Sequence, residues 1–360
     1  MVAAGVHTRI MKPLLAAAIL ALAACGSAEA TRSMSTSTST PAASPRTTLA
    51  TSSRTTQALL PPQTVGHQRL EVVASGLGIP TAFAFGAGHL FESDDGNRAG
   101  TQAGGVFVLS NGHARRLPGS PPRVFGLAWH HGWLYLSSYS QLQRWGAFNG
   151  SRFTVHQTLY TAPPNFTGFD GIGFGANGRL YVGIGAGGYD HGPTHYPFAL
   201  EMLTFTATGG DRRVFARGIR QPWQMTFPAG SSSPFVSDLG QDVGATRPPD
   251  FVLRAHEGDN FGFWRCNWTV LSACHGDTRP LVFLKPHTDA MGLGIIGSRL
   301  YASESGAVFA PSVVSMTLRG TGIRTEAIDF PAPLVGLTTH AGWVYVGASD
   351  GHVWRFRPDA

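Results

Sequence analysis

The chain has 360 residues, 42% of them hydrophobic and only 13% charged, with 46 glycines and 24 prolines. This supplies one large core and many tight turns, and a single all-β domain can use most of it. The net charge of +6 comes almost wholly from scattered arginines, since lysine occurs only at Lys12 and Lys285; without a basic helix or run, nucleic acid is excluded as the partner.

The N-terminus reads as an export signal. Lys12 supplies positive charge, and Leu14 to Ala24 is an apolar run too short to be a comfortable transmembrane span. The run ends Leu22-Ala23-Ala24-Cys25-Gly26. Small residues before a cysteine at that place resemble the bacterial lipobox. Residues 1–24 are therefore expected to be a lipoprotein signal peptide. Cys25 is expected to be the lipidated N-terminus, anchoring the chain to the cell membrane on its extracytoplasmic side by the lipid alone. An ordinary secretory signal with an incidental cysteine is the alternative, and either Met1 or Met11 can be the start. Residues 25–65 are rich in Ser, Thr, Ala and Pro, the composition of a disordered tether. The folded domain is expected over 66–360.

From Leu70 onward helical periodicity is lacking and short apolar runs alternate with turns. Leu70 to Ala74 reads as a strand without a blade of its own. A pair pattern then recurs, whose second member is Gly-x-(Leu/Val)-(Tyr/Phe)-hydrophobic. Its aromatic residues are Phe91, Tyr135, Tyr181, Phe235, Tyr301 and Tyr345, spaced by 44, 46, 54, 66 and 44 residues. A period in the forties with four short strands per unit predicts a β-propeller, here with six blades. The last unit stops after Val353 to Phe356, so Leu70 to Ala74 is expected to supply its outer strand and close the ring. A β-sandwich is the alternative, but it leaves the repeated Leu-Tyr motif unexplained.

The two long spacings hold insertions, and one of them carries Cys266 and Cys274. In an oxidising compartment these two are expected to form a local disulfide; a metal pair lacks further ligands at suitable spacing.

The stretch Gly218-Ile219-Arg220-Gln221-Pro222-Trp223, continued by Phe235-Val236-Ser237-Asp238-Leu239-Gly240-Gln241-Asp242, carries most of the chemistry. It reads as two strands of a hairpin, Met225 to Phe227 and Phe235 to Ser237. The loop before the first strand and the loop after the second then lie at one end. On the same face of the ring, loops before innermost strands offer Arg123, Thr167, Asp170, His287 and Asp289. Loops after second strands offer Glu92, Asp94, Tyr139, Asp190, His191, Glu304 and Asp350. Such a funnel suits a polyhydroxylated or anionic ligand, or Ca²⁺ held by carboxylates and carbonyls. Arg220 can bind a ligand or pair with Asp238 and stitch the blade. His287 beside Asp289 can be an oriented general base or a structural cap.

These residues resemble the glucose/sorbosone dehydrogenase-like six-bladed propellers over roughly 70–360. Gly218-Ile219-Arg220-Gln221-Pro222-Trp223-Gln224 is similar to the family's Gly-x-Arg-Asn-Pro-x-Gly. Asp238-Leu239-Gly240-Gln241 matches Asp-x-Gly-Gln. Gly258-Asp259-Asn260-Phe261-Gly262-Phe263 resembles Gly-x-Asn-Tyr-Gly-Trp, and Phe174 to Val182 resembles Phe-Gly-Pro-Asp-Gly-x-Leu-Tyr-Val. The resemblance implies pyrroloquinoline quinone (PQQ) and Ca²⁺ as cofactors and a sugar or related alcohol as substrate. It implies cofactor contacts from Arg220, Gln221, Asp238 and Gln241, with Gly240 and Gln241 at the metal. The family's catalytic histidine falls on Thr167, which cannot serve as a base at neutral pH, and the paired arginines of the last blade are replaced by Pro333-Leu334-Val335. Two functions are therefore expected. One is a quinone-dependent oxidoreductase with a relocated base, Asp170 or His287. The other is a non-catalytic tethered propeller that binds carbohydrate or a protein partner.

Overall fold

The computed structural model describes residues 61–97, 99–187, 194–241, 248–306 and 308–358. The signal peptide, Cys25, Asp190, His191 and Asp242 lie outside the described residues. The chain is a six-bladed β-propeller, with six antiparallel sheets in a ring. The innermost strands are Pro80–Gly86, Val124–His130, Ile172–Phe174, Pro222–Thr226, Ala290–Ile296 and Leu334–His340. Each packs on its neighbours around the axis. Blade 6 takes its outer strand from Glu71–Ala74, which pairs with Val353–Phe356 as expected. The folded chain begins before the expected boundary at 66. Gln63–Thr64 adds a fifth strand to blade 5, against the last residues of Arg324–Ile328.

The six repeated aromatics explain why the blades stack. Phe91, Tyr135, Tyr181, Phe235, Tyr301 and Tyr345 stand at one register position and are all buried. Each sheet is covered on both faces by its neighbours, so the second strands are buried continuously rather than at alternate residues. The tight hairpins at the far end of the ring follow from local chemistry. Ala87-Gly88, His131-Gly132 and Ala341-Gly342 each hold two successive positive φ angles, between 45° and 80°. That is the type I′ geometry which matches strand twist, and its second residue is glycine in all three.

Aligning the blades on these aromatics exposes a second repeat. In blades 1, 2, 4, 5 and 6 the innermost strand shifts register at its start. The bulge turns one side chain toward the axis. The six residues at that position are Thr81, Phe125, Asp170, Trp223, Met291 and Val335. Phe125, Trp223, Met291 and Val335 join Ile79 in an apolar cluster, with Leu239 against it. The next position reads Ala82, Gly126, Gly171, Gln224, Gly292 and Gly336. Five small residues leave room for one long side chain. The Gln224 amide crosses to other blades and donates to the carbonyls of Thr81 at 3.2 Å and Phe125 at 2.9 Å. A Cβ on Gly171 would lie 2.4 Å from the Trp223 carbonyl oxygen. Serines two residues beyond the aromatics tie blades together: Ser137 donates to the Asp170 carbonyl and Ser237 to that of Met291, both at 2.6 Å.

Cys266 and Cys274 are joined, with Cα atoms 4.8 Å apart. Their loop belongs to the insertion between the third and outer strands of blade 4. The insertion climbs the edge of blade 3, where Asn260 pairs with Arg217 and the Phe263 N–H donates to the Gly218 carbonyl. Replacing both cysteines by alanine is expected to lower unfolding stability by about 2–3 kcal/mol, because the closed loop is short. Urea titration of the double variant checks this; an unchanged midpoint and slope would contradict it.

Candidate functional site

The Arg220–Gln221 turn sits where the blade 3 outer strand hands over to blade 4. Asp238, at the end of the second strand, faces Pro222 across the sheet, and its Oδ1 accepts the Gln221 N–H at 2.7 Å. Pro222 has no N–H and holds the preceding residue extended. In extended chain successive side chains point to opposite sides. Arg220 and Gln221, expected to act together, are accordingly divided between two clefts.

Gln221 faces the cleft nearer the axis. Its lining includes Phe125, Tyr139, Thr167, Asp170, Gly185 and Gly187. The Gln221 Nε2 donates to both Asp170 carboxyl oxygens at 2.9 Å. Asp170 is buried, and burial raises its pKa well above the usual carboxylate range. The Gly185 N–H and the Gln221 amide oppose that rise without cancelling it. Burial thus disfavours the charged form of Asp170. Thr167 donates to the Gly185 carbonyl at 2.9 Å, and Gly187, with positive φ, passes so close that a Cβ there would meet the Thr167 methyl. Thr167 is thus a structural tie of the loop. Tyr139 donates to the Phe166 carbonyl at 3.2 Å.

Arg220 faces the second cleft, beneath the disulfide loop, with Asp238, Gln241, Phe261, Phe263, Asn267 and Trp268 among its walls. Its Nη1 donates to the Leu239 carbonyl at 3.2 Å. Gln241 accepts from Asn267 Nδ2 at 2.7 Å. Burial raises the pKa of Asp238 to about 7, against the lowering effects of the Gln221 N–H and the Arg220 charge. Gly240 is held by its own N–H, which donates to Asp250 at 2.6 Å, and the Pro249 carbonyl would lie 2.3 Å from a Cβ there. Among the described residues no three or more His, Cys, Asp or Glu side chains form a metal-binding group.

His287 is placed elsewhere. It leads into blade 5 with φ of 59°, near Asp250, whose pKa burial raises against the lowering effects of the Gly240 and Asp289 N–H groups, the Thr288 hydroxyl and, least, His287. Asp250 accepts from the Gly240 and Asp289 N–H groups and the Thr288 hydroxyl, stapling the blade 4 and blade 5 loops. His287 does not line the Asp170 cleft. Trp223 is buried in the axial cluster rather than offered as a stacking platform. Arg123 reaches Asp95 with two nitrogens and stacks over Phe125. Sequence reading missed Gln224 and the axial role of Asp170. Both become visible once the six blades are aligned on their aromatics.

The fold defines the class: a six-bladed propeller of the kind seen in soluble sugar dehydrogenases. No protein-family profile and no curated protein matches the sequence. Among solved structures, PQQ-bound aldose sugar dehydrogenase from Streptomyces coelicolor has a TM-score of 0.64 at 16% identity, covering 82% of this chain and 97% of that one. An oxidoreductase from Thermus thermophilus, assigned as a glucose dehydrogenase, has a TM-score of 0.62 at 20% identity, with coverage of 80% and 99%. A further glucose dehydrogenase scores 0.65 at 14% identity, with coverage of 81% and 99%. At these identities the likeness is one of fold.

Proposed function

We propose that the Asp170 cleft binds a hydroxyl group of a sugar or related alcohol, making the chain a sugar-binding propeller on a sugar dehydrogenase scaffold. One observation carries this reading. The axial position holds an apolar residue in four blades, Thr81 in blade 1 and, in blade 3, a carboxyl group that lines a cleft and is steadied by Gln221. A cleft-lining carboxyl with an amide beside it offers polar hydrogen-bonding groups to neutral hydroxyls.

The residues do not fit a carboxylated quinone in this cleft. Its described lining has no cationic side chain, Asp170 repels carboxylates once ionised, and Arg220 faces the other cleft. For Ca²⁺, Gln241 offers an oxygen already engaged by Asn267. No step through quinone or metal is derived. The second reading, oxidation of a CH–OH group with PQQ, is favoured by the fold it shares with the PQQ-bound neighbour. In that reading Asp170 would be the proton acceptor.

Calorimetry with a panel of sugars and sugar alcohols, with and without PQQ and Ca²⁺, separates the two. Binding that needs neither cofactor is the expected result. Dye reduction that appears only with PQQ would establish the second reading instead. Asp170→Asn is expected to weaken sugar binding by about 1–2 kcal/mol with little change in melting temperature. If turnover occurs, the same substitution should lower it by about 10²–10⁴. A panel that shows no binding overturns the primary reading.

A further inference from the structure

The loop face, where innermost strands begin and second and outer strands end, carries an unusual share of exposed apolar side chains. Of the eleven large apolar side chains exposed among the described residues, seven lie in its loops. Trp264, Val270 and Leu271 crown the blade 4 insertion, and Val308 and Phe309 stand on the blade 5 loop. Tyr139 and Tyr196 complete the set.

The insertion presents its residues on a fixed support. The disulfide closes the loop, Arg265 reaches Asp277 with one nitrogen on both carboxyl oxygens, and Asn267 bonds Gln241 of the neighbouring loop. That bond, with the one from Phe263 to Gly218, sets the loop at the level of the Arg220 turn. Leu271 is 66% exposed in spite of this bracing.

The described residues begin at the same face. Gln63 pairs with Ile328, the last residue of the blade 5 outer strand, so Pro61 and Pro62 stand at the loop end of that sheet. Residues 26–60 separate Cys25 from this point, and a random coil of that length has a root-mean-square span of roughly 30–35 Å. With random-coil dimensions, an anchor at Cys25 would keep the loop face on average within about one domain diameter of the bilayer. At such effective concentrations a weak affinity is enough to seat it.

We propose that this face docks on the lipid surface, with Trp264, Val270, Leu271 and Phe309 entering the interfacial layer. The proposal rests on Cys25 as the point of attachment. Tryptophan is favoured at that depth, and aliphatic side chains gain by leaving water. The residues from 61 onward carry little net charge, so the seat is apolar rather than electrostatic. Ligands would then approach the clefts from the rim of the ring.

The test uses residues 25–360, coupled through the Cys25 thiol to a maleimide lipid in phosphatidylcholine vesicles. The other two cysteines are joined, so coupling is selective. Because attachment is supplied chemically, absence of natural acylation, read separately by mass spectrometry, does not decide the docking. Hydrogen exchange at 264–274 and 305–311 is expected to slow several-fold on vesicles. Hairpins 296–299 and 340–343, at the opposite end, should be unchanged. Val270→Ser with Leu271→Ser should abolish the slowing while the melting temperature holds. Equal exchange with and without vesicles overturns the proposal. So does slowing without vesicles that grows with protein concentration, which would assign the face to a second copy of the chain.

Discussion

Asp238→Asn is expected to stabilise the propeller at about pH 8 and to change it little at about pH 4. The Asp238 carboxyl is buried behind the Arg220–Gln221 turn, with its pKa raised from 3.8 to about 7. A folded-state value above the unfolded one means that the folded protein binds the extra proton. The stability linked to that proton is fully present below about pH 4 and is lost as pH rises through about 7. The span corresponds to about 4 kcal/mol as an upper bound. Asparagine keeps an oxygen for the Gln221 N–H and never ionises. Urea titrations of both proteins across this range should show a shallower decline for the variant. The decline should not vanish, because burial also raises Asp94, Asp170, Asp250 and Glu304. Glu92 adds to it: it is fully buried, and burial and the Asp94 charge push its pKa well up against the lowering effect of the Thr81 backbone N–H. Parallel pH profiles for wild type and variant would show that Asp238 is not a source of the dependence.

Gln224→Ala should cost about 3 kcal/mol. The side chain is buried at the axis and its amide serves carbonyls from blades 1 and 2. Truncation removes two hydrogen bonds, orphans two buried acceptors and leaves a void between five small residues that cannot collapse onto it. Gln224→Leu tests the division of that cost. It refills part of the void but not the bonds, so it should recover only part of the loss. Full recovery by leucine would mean that packing alone matters at the axis. A water that enters the truncated site and bridges the carbonyls would lower the cost toward about 1 kcal/mol.

The sequence by itself determined the ring. Six aromatics at a period in the forties bury their rings between sheets, and only a repeated blade places them all alike. It determined the closing strand at Glu71–Ala74 and the disulfide, since both depend on residues whose partners are forced by topology or by nearness in the chain. The far-end hairpins were legible for the same local reason, a glycine where φ must be positive.

What tertiary structure decided lies at the axis and the clefts. Side-chain direction there is set by bulges and by neighbouring blades, which no single repeat reveals. Arg220 and Gln221 look like one binding pair in sequence, yet an extended turn sends them to different clefts. His287 and Asp170 looked like equal candidates for a base. The register puts Asp170 in the axial ring beside Gln221, while His287 stands on the loop leading into blade 5, outside that cleft. The upward shift of the Asp170 pKa likewise follows from three-dimensional burial, because the cost of a carboxylate depends on how much water the folded blades exclude from it.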